Sequence, residues 1–260
     1  MAKLASRLIR IIQPQRLAVH IVAALVFGLS LLLYLITLAP GVVWQHYGQD
    51  GGELVSASLM LGVAHPPGYP TYLMIGHLFW RATFFDSPAF TFNLLSALSA
   101  AIAVVGFYYL TTILCHMLDK ESRHSYLLLI VAAGSSLTFA TSSVFWSQAV
   151  IAEVYTMNSA FFCLALLLAV MTVGARSSAS SFDVFHMGGR NYLGATASRW
   201  IFNYGTLLSG ICIGVGMGNH LTIVFLAPPV LLYYFYGEGL RVRPLFAFIG
   251  GIFIGLIVYA

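Results

Sequence analysis

The chain reads as an all-α polytopic membrane protein. About seven transmembrane helices are expected, with a long first external loop that holds two short surface helices. Three observations carry this reading. Hydrophobic residues make up 60% of the 260 positions and charged ones 8%, with a mean hydropathy of +0.89. Seven apolar stretches approach the roughly 20 residues that cross about 30 Å of hydrocarbon; they fall near 18–38, 90–118, 126–145, 154–174, 201–218, 221–236 and 244–260. The basic residues stand at the ends of these stretches rather than in one patch, which is topological information and argues against nucleic acid despite a net charge of +4.

The elements follow in order. Lys3, Arg7, Arg10 and Arg16 precede the first stretch, which is too long for a signal peptide and lacks a small-x-small cleavage site, so it reads as an uncleaved anchor. Residues 39–89 form the first loop. Within it, Tyr69 to Phe85 is helical in pattern but would reach only about 24 Å, short for a crossing. If that segment crossed, five of the twelve Lys and Arg would lie in the cytoplasm; if it lies on the surface, eleven of the twelve do, all but Arg81. The excess of basic residues on the cytoplasmic side favours the surface helix, a cytoplasmic N-terminus and an external loop.

After the 90–118 stretch, Asp119, Lys120, Glu121 and Arg123 alternate in sign as a solvated turn. The Ser- and Gly-rich segment 175–200 reads as a cytoplasmic loop. Gly210, Gly214 and Gly218 make a small-residue stripe suited to close helix packing. Cys115, Cys163 and Cys212 lie in separate apolar runs and read as core residues. The whole of 1–260 is expected to be one transmembrane domain. Its end at Ala260, inside an apolar run without a cap, is what a chain cut short at its C-terminus would show. A bacterial inner membrane is the expected host.

Polar chemistry is concentrated in four motifs. The first is Asp50-Gly51-Gly52-Glu53. One reading is a capping box, with Asp50 as N-cap and Glu53 three residues on. The other is a carboxylate fixed at a helix start and able to act as general base. The second motif is His65-Pro66-Pro67-Gly68-Tyr69-Pro70, a rigid corner, because two prolines cannot continue a helix. His65 there is either a local hydrogen-bonding residue or a substrate ligand. The third, "FWSQAVIAEVYTMN", carries Glu153, an acid at an apolar boundary that calls for a partner or a task. Its Trp146 and Tyr155 fit an interfacial aromatic belt. The fourth, "GMGNHLT", carries Asn219 and His220, which either satisfy a helix break or line the same cavity. All four motifs fall on the external face of the one topology, which points to a single external site.

Taken in order, "DGGEL", "AHPPGYP", "FWSQAVIAEVY" and "GMGNHLT" resemble a family of membrane proteins formerly of unknown function. That family is similar to the lipid-linked-sugar glycosyltransferases of the GT-C class and includes an animal protein O-mannosyltransferase. The likeness covers about residues 20–230. It implies a polyprenyl-phosphate sugar as donor, a protein or glycan acceptor, and a first external loop with an essential acid flanked by two surface helices. Asp50 and Glu53 match the acidic motif. Asp50 is then the expected general base, and Glu53 an assistant that positions the acceptor or a divalent cation. No cofactor or metal site is otherwise expected. His65, Tyr69 and Arg81 are expected at the substrate, with His65 and Arg81 on the lipid phosphate; Glu153, Asn219 and His220 are expected on sugar or acceptor. The alternatives are a non-catalytic membrane subunit, which packs on other membrane subunits through the glycine stripe, and a transporter, which would place polar residues at mid-bilayer rather than at span ends.

Overall fold

A computed structural model describes residues 14–44, 48–118, 125–177, 195–239 and 241–260. Every element among them is helical. Helix α1 spans Pro14–Ile36, α2 Gly51–Met60, α3 Pro70–Ala82, α4 Pro88–Leu118 and α5 Ser125–Ala140. The short α6 spans Ser143–Ala149, and α7 and α8 span Tyr155–Ser177 and Ala195–Met217. A 3-10 turn at Leu221–Leu226 leads into α9 at Ala227–Glu238, and α10 spans Val242–Gly255.

The chain is an all-α polytopic membrane protein, but the count of seven spans needs correction. Among the described residues, four helices are long and apolar enough to cross a membrane: Leu17–Ile36, Pro88–Met117, Tyr155–Gly174 and Val242–Tyr259. A fifth candidate, the 126–145 stretch, is bent by 67° between α5 and α6. The hydroxyls of Thr141 and Ser142 donate back to the carbonyls of Leu137 (2.9 Å) and Phe139 (2.8 Å), and Ser142 is extended, so local side-chain bonds compete with the helix there. Tyr204–Met217 and Leu221–Gly237 are shorter apolar helices. Pro228 and Pro229 sit at the start of α9, where their missing N–H groups cost nothing, and the residues before them wind as 3-10 turn. The segment expected as a loop over 175–200 is helical at both described margins, and 178–194 lies outside the described residues.

Two short helices, α2 and α3, stand between the first two long ones, as the loop pattern anticipates. Four buried clusters organise the rest, one of them joining α4 to α7 through Leu110, Ile113, Cys163 and Met171. Val19, Val26, Tyr34, Ala100, Val104 and Tyr108 knit α1 to α4, with Ala132 and Phe145 from α5 and α6. Leu54, Val55, Tyr69, Tyr72, Leu73 and Phe92 pack α2 and α3 onto α4. A third joins α7, α8, α9 and α10 around Ile213, Tyr234 and Phe248.

The glycine stripe is used inside the chain. A Cβ on Gly210 would collide with the Phe248 carbonyl, and one on Gly214 with the Ile252 carbonyl, so α8 and α10 touch backbone to backbone. That face, the one the partner-subunit reading would pack against other chains, is therefore already covered within this chain. Cys163 and Cys212 are buried, and Gly106 leaves room for the Cys163 side chain.

Candidate functional site

Helix α2 begins where the backbone can approach another segment closely. Gly51 is buried, and a Cβ there would lie 2.9 Å from the carbonyl oxygen of Ala152. The absent side chain seats the start of α2, and Asp50 with it, against the 151–154 loop. That loop is pinned from two sides. Ser96 of α4 bonds both the N–H and the carbonyl of Glu153 through its hydroxyl (3.3 Å each). Asn219, fully buried after α8, donates to the carbonyl of Val154 (3.0 Å). Asn93 fixes the other approach by donating to the carbonyls of Ala39 (2.7 Å) and Gly41 (3.0 Å).

The capping box does not form. Asp50 occupies the N-cap position, but its carboxylate makes no capping hydrogen bond. Glu53 turns away from the helix start and grips His65, accepting from the backbone N–H at 2.7 Å and facing ring Nδ1 at 2.9 Å. The corner that delivers His65 needs left-handed backbone at three positions: Leu61 (φ 48°), Gly68 (φ 93°) and Tyr69 (φ 50°). At Tyr69 this costs about 1–2 kcal/mol, and the burial of its ring among Leu54, Tyr72 and Phe92 offsets it.

A carboxylate only accepts, so Nδ1 of His65 carries the proton toward Glu53, and Nε2 lies within hydrogen-bond distance of the Tyr69 hydroxyl at 3.1 Å. Asp50 Oδ2 lies 3.8 Å from the same Nε2, beyond hydrogen-bonding range. Asp50 and Glu53 thus differ in state: both oxygens of Glu53 are engaged by His65, while Asp50 stays half-exposed with lone pairs to offer. The bonds from His65 hold the Glu53 carboxyl below its usual range.

Glu153 lies beneath. Its residue exposure is 1%, and among the described residues Oε1 has no hydrogen-bond partner. Burial first, and the nearby Asp50 charge second, push its carboxyl up to about 7. Burial and the Asp50 charge also raise the Tyr69 hydroxyl. His220 closes the group. Its Nδ1 accepts from the Thr222 N–H (3.3 Å) and lies 2.7 Å from the Thr222 hydroxyl, and burial lowers its affinity for a proton. Its ring lies 6.4 Å from that of Tyr69 and 5.4 Å from that of Tyr155.

The structure therefore gathers Asp50, Glu53, His65, Tyr69, Glu153 and His220 at one junction of α2, α3, α7 and α8, with Asn219 supporting the loop rather than pointing at the others. Arg81 is not gathered. It stands exposed in the last turn of α3, about 18 Å along the helix axis from Tyr69 at 1.5 Å per residue. Tyr155, read from sequence as an aromatic-belt residue, is a member of the group instead; its place two residues after Glu153 is the signal that could have found it. Among the described residues, no three His, Cys, Asp or Glu side chains are placed to hold a metal ion.

Residues 50–241 match the model of the protein O-mannosyl-transferase TMEM260 N-terminal domain. The chain is 36% identical over 123 residues to the mouse protein O-mannosyl-transferase TMEM260, a match of 47% of this chain and 16% of that protein. It is 27% identical over 217 residues to the tmem260 protein O-mannosyl-transferase of Dictyostelium discoideum, covering 83% of this chain and 23% of the relative. The matches thus span less than a quarter of either relative's length. Both relatives are eukaryotic, so a bacterial inner membrane finds no support in them. No solved structure matches the chain.

Proposed function

The chain belongs to the family of protein O-mannosyl-transferase TMEM260 N-terminal domains, and from that premise we propose that it carries the catalytic face of a glycosyltransferase that moves a sugar from a polyprenyl-phosphate carrier to an acceptor hydroxyl outside the cytoplasm. Asp50 is the base. It takes the acceptor O–H proton as the acceptor oxygen bonds to the sugar anomeric carbon. The bond from that carbon to the carrier phosphate breaks, and the lipid phosphate leaves with the electron pair.

The observation that carries the assignment is the unequal state of the two carboxylates. A base needs an open lone pair within reach of its proton. Asp50 makes no capping hydrogen bond, whereas each oxygen of Glu53 already accepts from His65. Glu53 is accordingly a positioning residue, which sets the corner bearing His65 and Tyr69. Glu153, whose carboxyl is raised by burial and so keeps its proton more readily, can donate a hydrogen bond to a sugar oxygen from the floor of the site. His220 and Tyr69 flank it with their rings. Arg81 is left out of the phosphate contact because of its distance.

The test is sugar transfer from a lipid-linked donor by the full-length protein. Loss of transfer in Asp50→Asn with donor binding retained is expected. Undiminished transfer by that variant would defeat the role of Asp50.

A further inference from the structure

His65 stands between two carboxylates, one toward each ring nitrogen. Asp50 and Glu53 lie three residues apart at the start of α2 and so share one side of its first turn. The corner after α2 brings His65 back over that turn. Glu53 Oε2 is 2.9 Å from Nδ1, and Asp50 Oδ2 is 3.8 Å from Nε2. The proton on Nδ1 is committed to Glu53, so in the neutral ring Nε2 keeps its lone pair, with Asp50 and the Tyr69 hydroxyl as its neighbours.

A base oriented from behind by a third group is the arrangement that activates an imidazole. Here the imidazole stands next to the base rather than next to the acceptor. In water an imidazole holds a proton on the order of a few hundredfold more tightly than a carboxylate does. A carboxylate that has taken a proton from an acceptor therefore has a better holder beside it. The 3.8 Å gap must close by about 1 Å for the transfer. Asp50 makes no capping bond and is free to turn, and catalytic contacts of this kind tighten when substrate binds.

The titratable groups around the ring come from three elements. Asp50 and Glu53 belong to α2, Tyr69 precedes α3, and Glu153 senses the ring from the 151–154 loop. His220 stands behind Tyr69. An imidazolium formed there meets the Glu53 carboxylate in a charge-assisted bond. The Tyr69 hydroxyl can donate or accept, so it can follow Nε2 through either state.

We propose that His65 is a proton relay: Asp50 takes the proton of the acceptor hydroxyl and passes it from Oδ2 to Nε2 of His65, while Glu53 holds the imidazolium. Asp50 returns to carboxylate in that step. The ring, 37% exposed, then releases the proton to external water and is neutral again. This role rests on the reading of Asp50 as the base.

The experiment uses full-length protein in membrane vesicles, a polyprenyl-phosphate mannose as donor and a serine-bearing peptide as acceptor. His65→Asn keeps an amide N–H near the position of Nδ1 and removes Nε2. The Glu53 contact and the melting temperature are expected to stay, while kcat falls by about 10²-fold and the acceptor KM stays within about twofold. In His65→Ala, added imidazoles are expected to restore at least about tenfold of the lost rate, the more basic ones restoring more. A residue that only shapes the corner would show no such dependence on basicity. Tyr69→Phe is expected to lose less than His65→Asn.

Parental kcat in His65→Asn, recovery absent or indifferent to basicity, or a Tyr69→Phe loss as large as that of His65→Asn would each overturn the relay. With Asp50→Asn inactive, any of these results removes the relay and leaves Asp50 as the base. Undiminished transfer by Asp50→Asn would defeat the base assignment itself, and the relay with it.

Discussion

Glu53 holds His65 at two points at once, the backbone N–H at 2.7 Å and ring Nδ1 at 2.9 Å. One carboxylate thereby fixes both the path of the chain and the orientation of the imidazole across twelve residues. The neighbouring Asp50 is relieved of structural work by the same contact, and this division of labour sets the expected behaviour of the two acids.

Asp50→Asn keeps the size of the side chain and removes the base. Transfer is expected to fall by about 10²–10⁴, the usual worth of a general base, with thermal stability unchanged because Asp50 makes no capping bond. Steady-state transfer and a melting curve on the same preparation check both halves.

Glu53→Gln can accept one of the two bonds from His65 but not both with full charge. The corner loosens, and a loss of about 10²-fold is expected from misplacement of about 1 Å. The His65→Asn variant should cost a similar factor, and the double variant little more, since the two act as one unit. Additive losses in the double variant would mean that Glu53 acts independently of His65.

The Glu153 carboxyl, raised by burial to about 7, binds its proton more tightly in the folded chain than in the unfolded one. The sign is fixed by that difference: the stabilisation is full below the ordinary value of 4.5 and is lost as pH rises through about 7. Stability should therefore fall between pH 5 and 8 by on the order of 3 kcal/mol, read as a drop in melting temperature. Glu153→Gln should flatten this profile, and a slope equal to that of the parent would exclude Glu153 as its source.

Gly51→Ala places a methyl group 2.9 Å from the Ala152 carbonyl. Overpacking of this kind costs about 1–3 kcal/mol. Because Asp50 is the adjacent residue, activity should drop together with melting temperature. Gly28→Ala, with nothing within 4 Å of its Cβ, is the matched control and should leave both unchanged.

Arg81→Gln tests the residue that the structure separates from the site. An exposed substitution away from special contacts stays within about 0.5 kcal/mol in stability, and transfer should remain within about twofold of the parent. A large rise in donor KM would return Arg81 to the carrier phosphate.

Much of the scaffold was legible in the chain. The second span, expected at 90–118, is Pro88–Leu118, and the two short helices of the loop are Gly51–Met60 and Pro70–Ala82. Where local bonding overrides apolar pattern, hydropathy misled: Thr141 and Ser142 bend the 126–145 stretch, and the 221–236 stretch opens as 3-10 turn before its proline pair. The spacing of Asp50 and Glu53 suggested a capping box, yet the partner that claims Glu53 comes from beyond the helix end. Tyr155 passed as belt residue because nothing in its neighbours reveals His220, sixty-five positions on.

Hydropathy, charge placement and proline position are properties of short windows, so the sequence by itself determined the membrane class, the helical build and the position of the polar loop. Which oxygen remains unbonded is a matter of distances between segments. Only the tertiary structure decided that Glu53 is consumed by His65, that Glu153 is buried under Asp50, and that Arg81 stands apart. Hydrogen bonding and desolvation act over a few ångströms of space, and separation along the chain does not measure that.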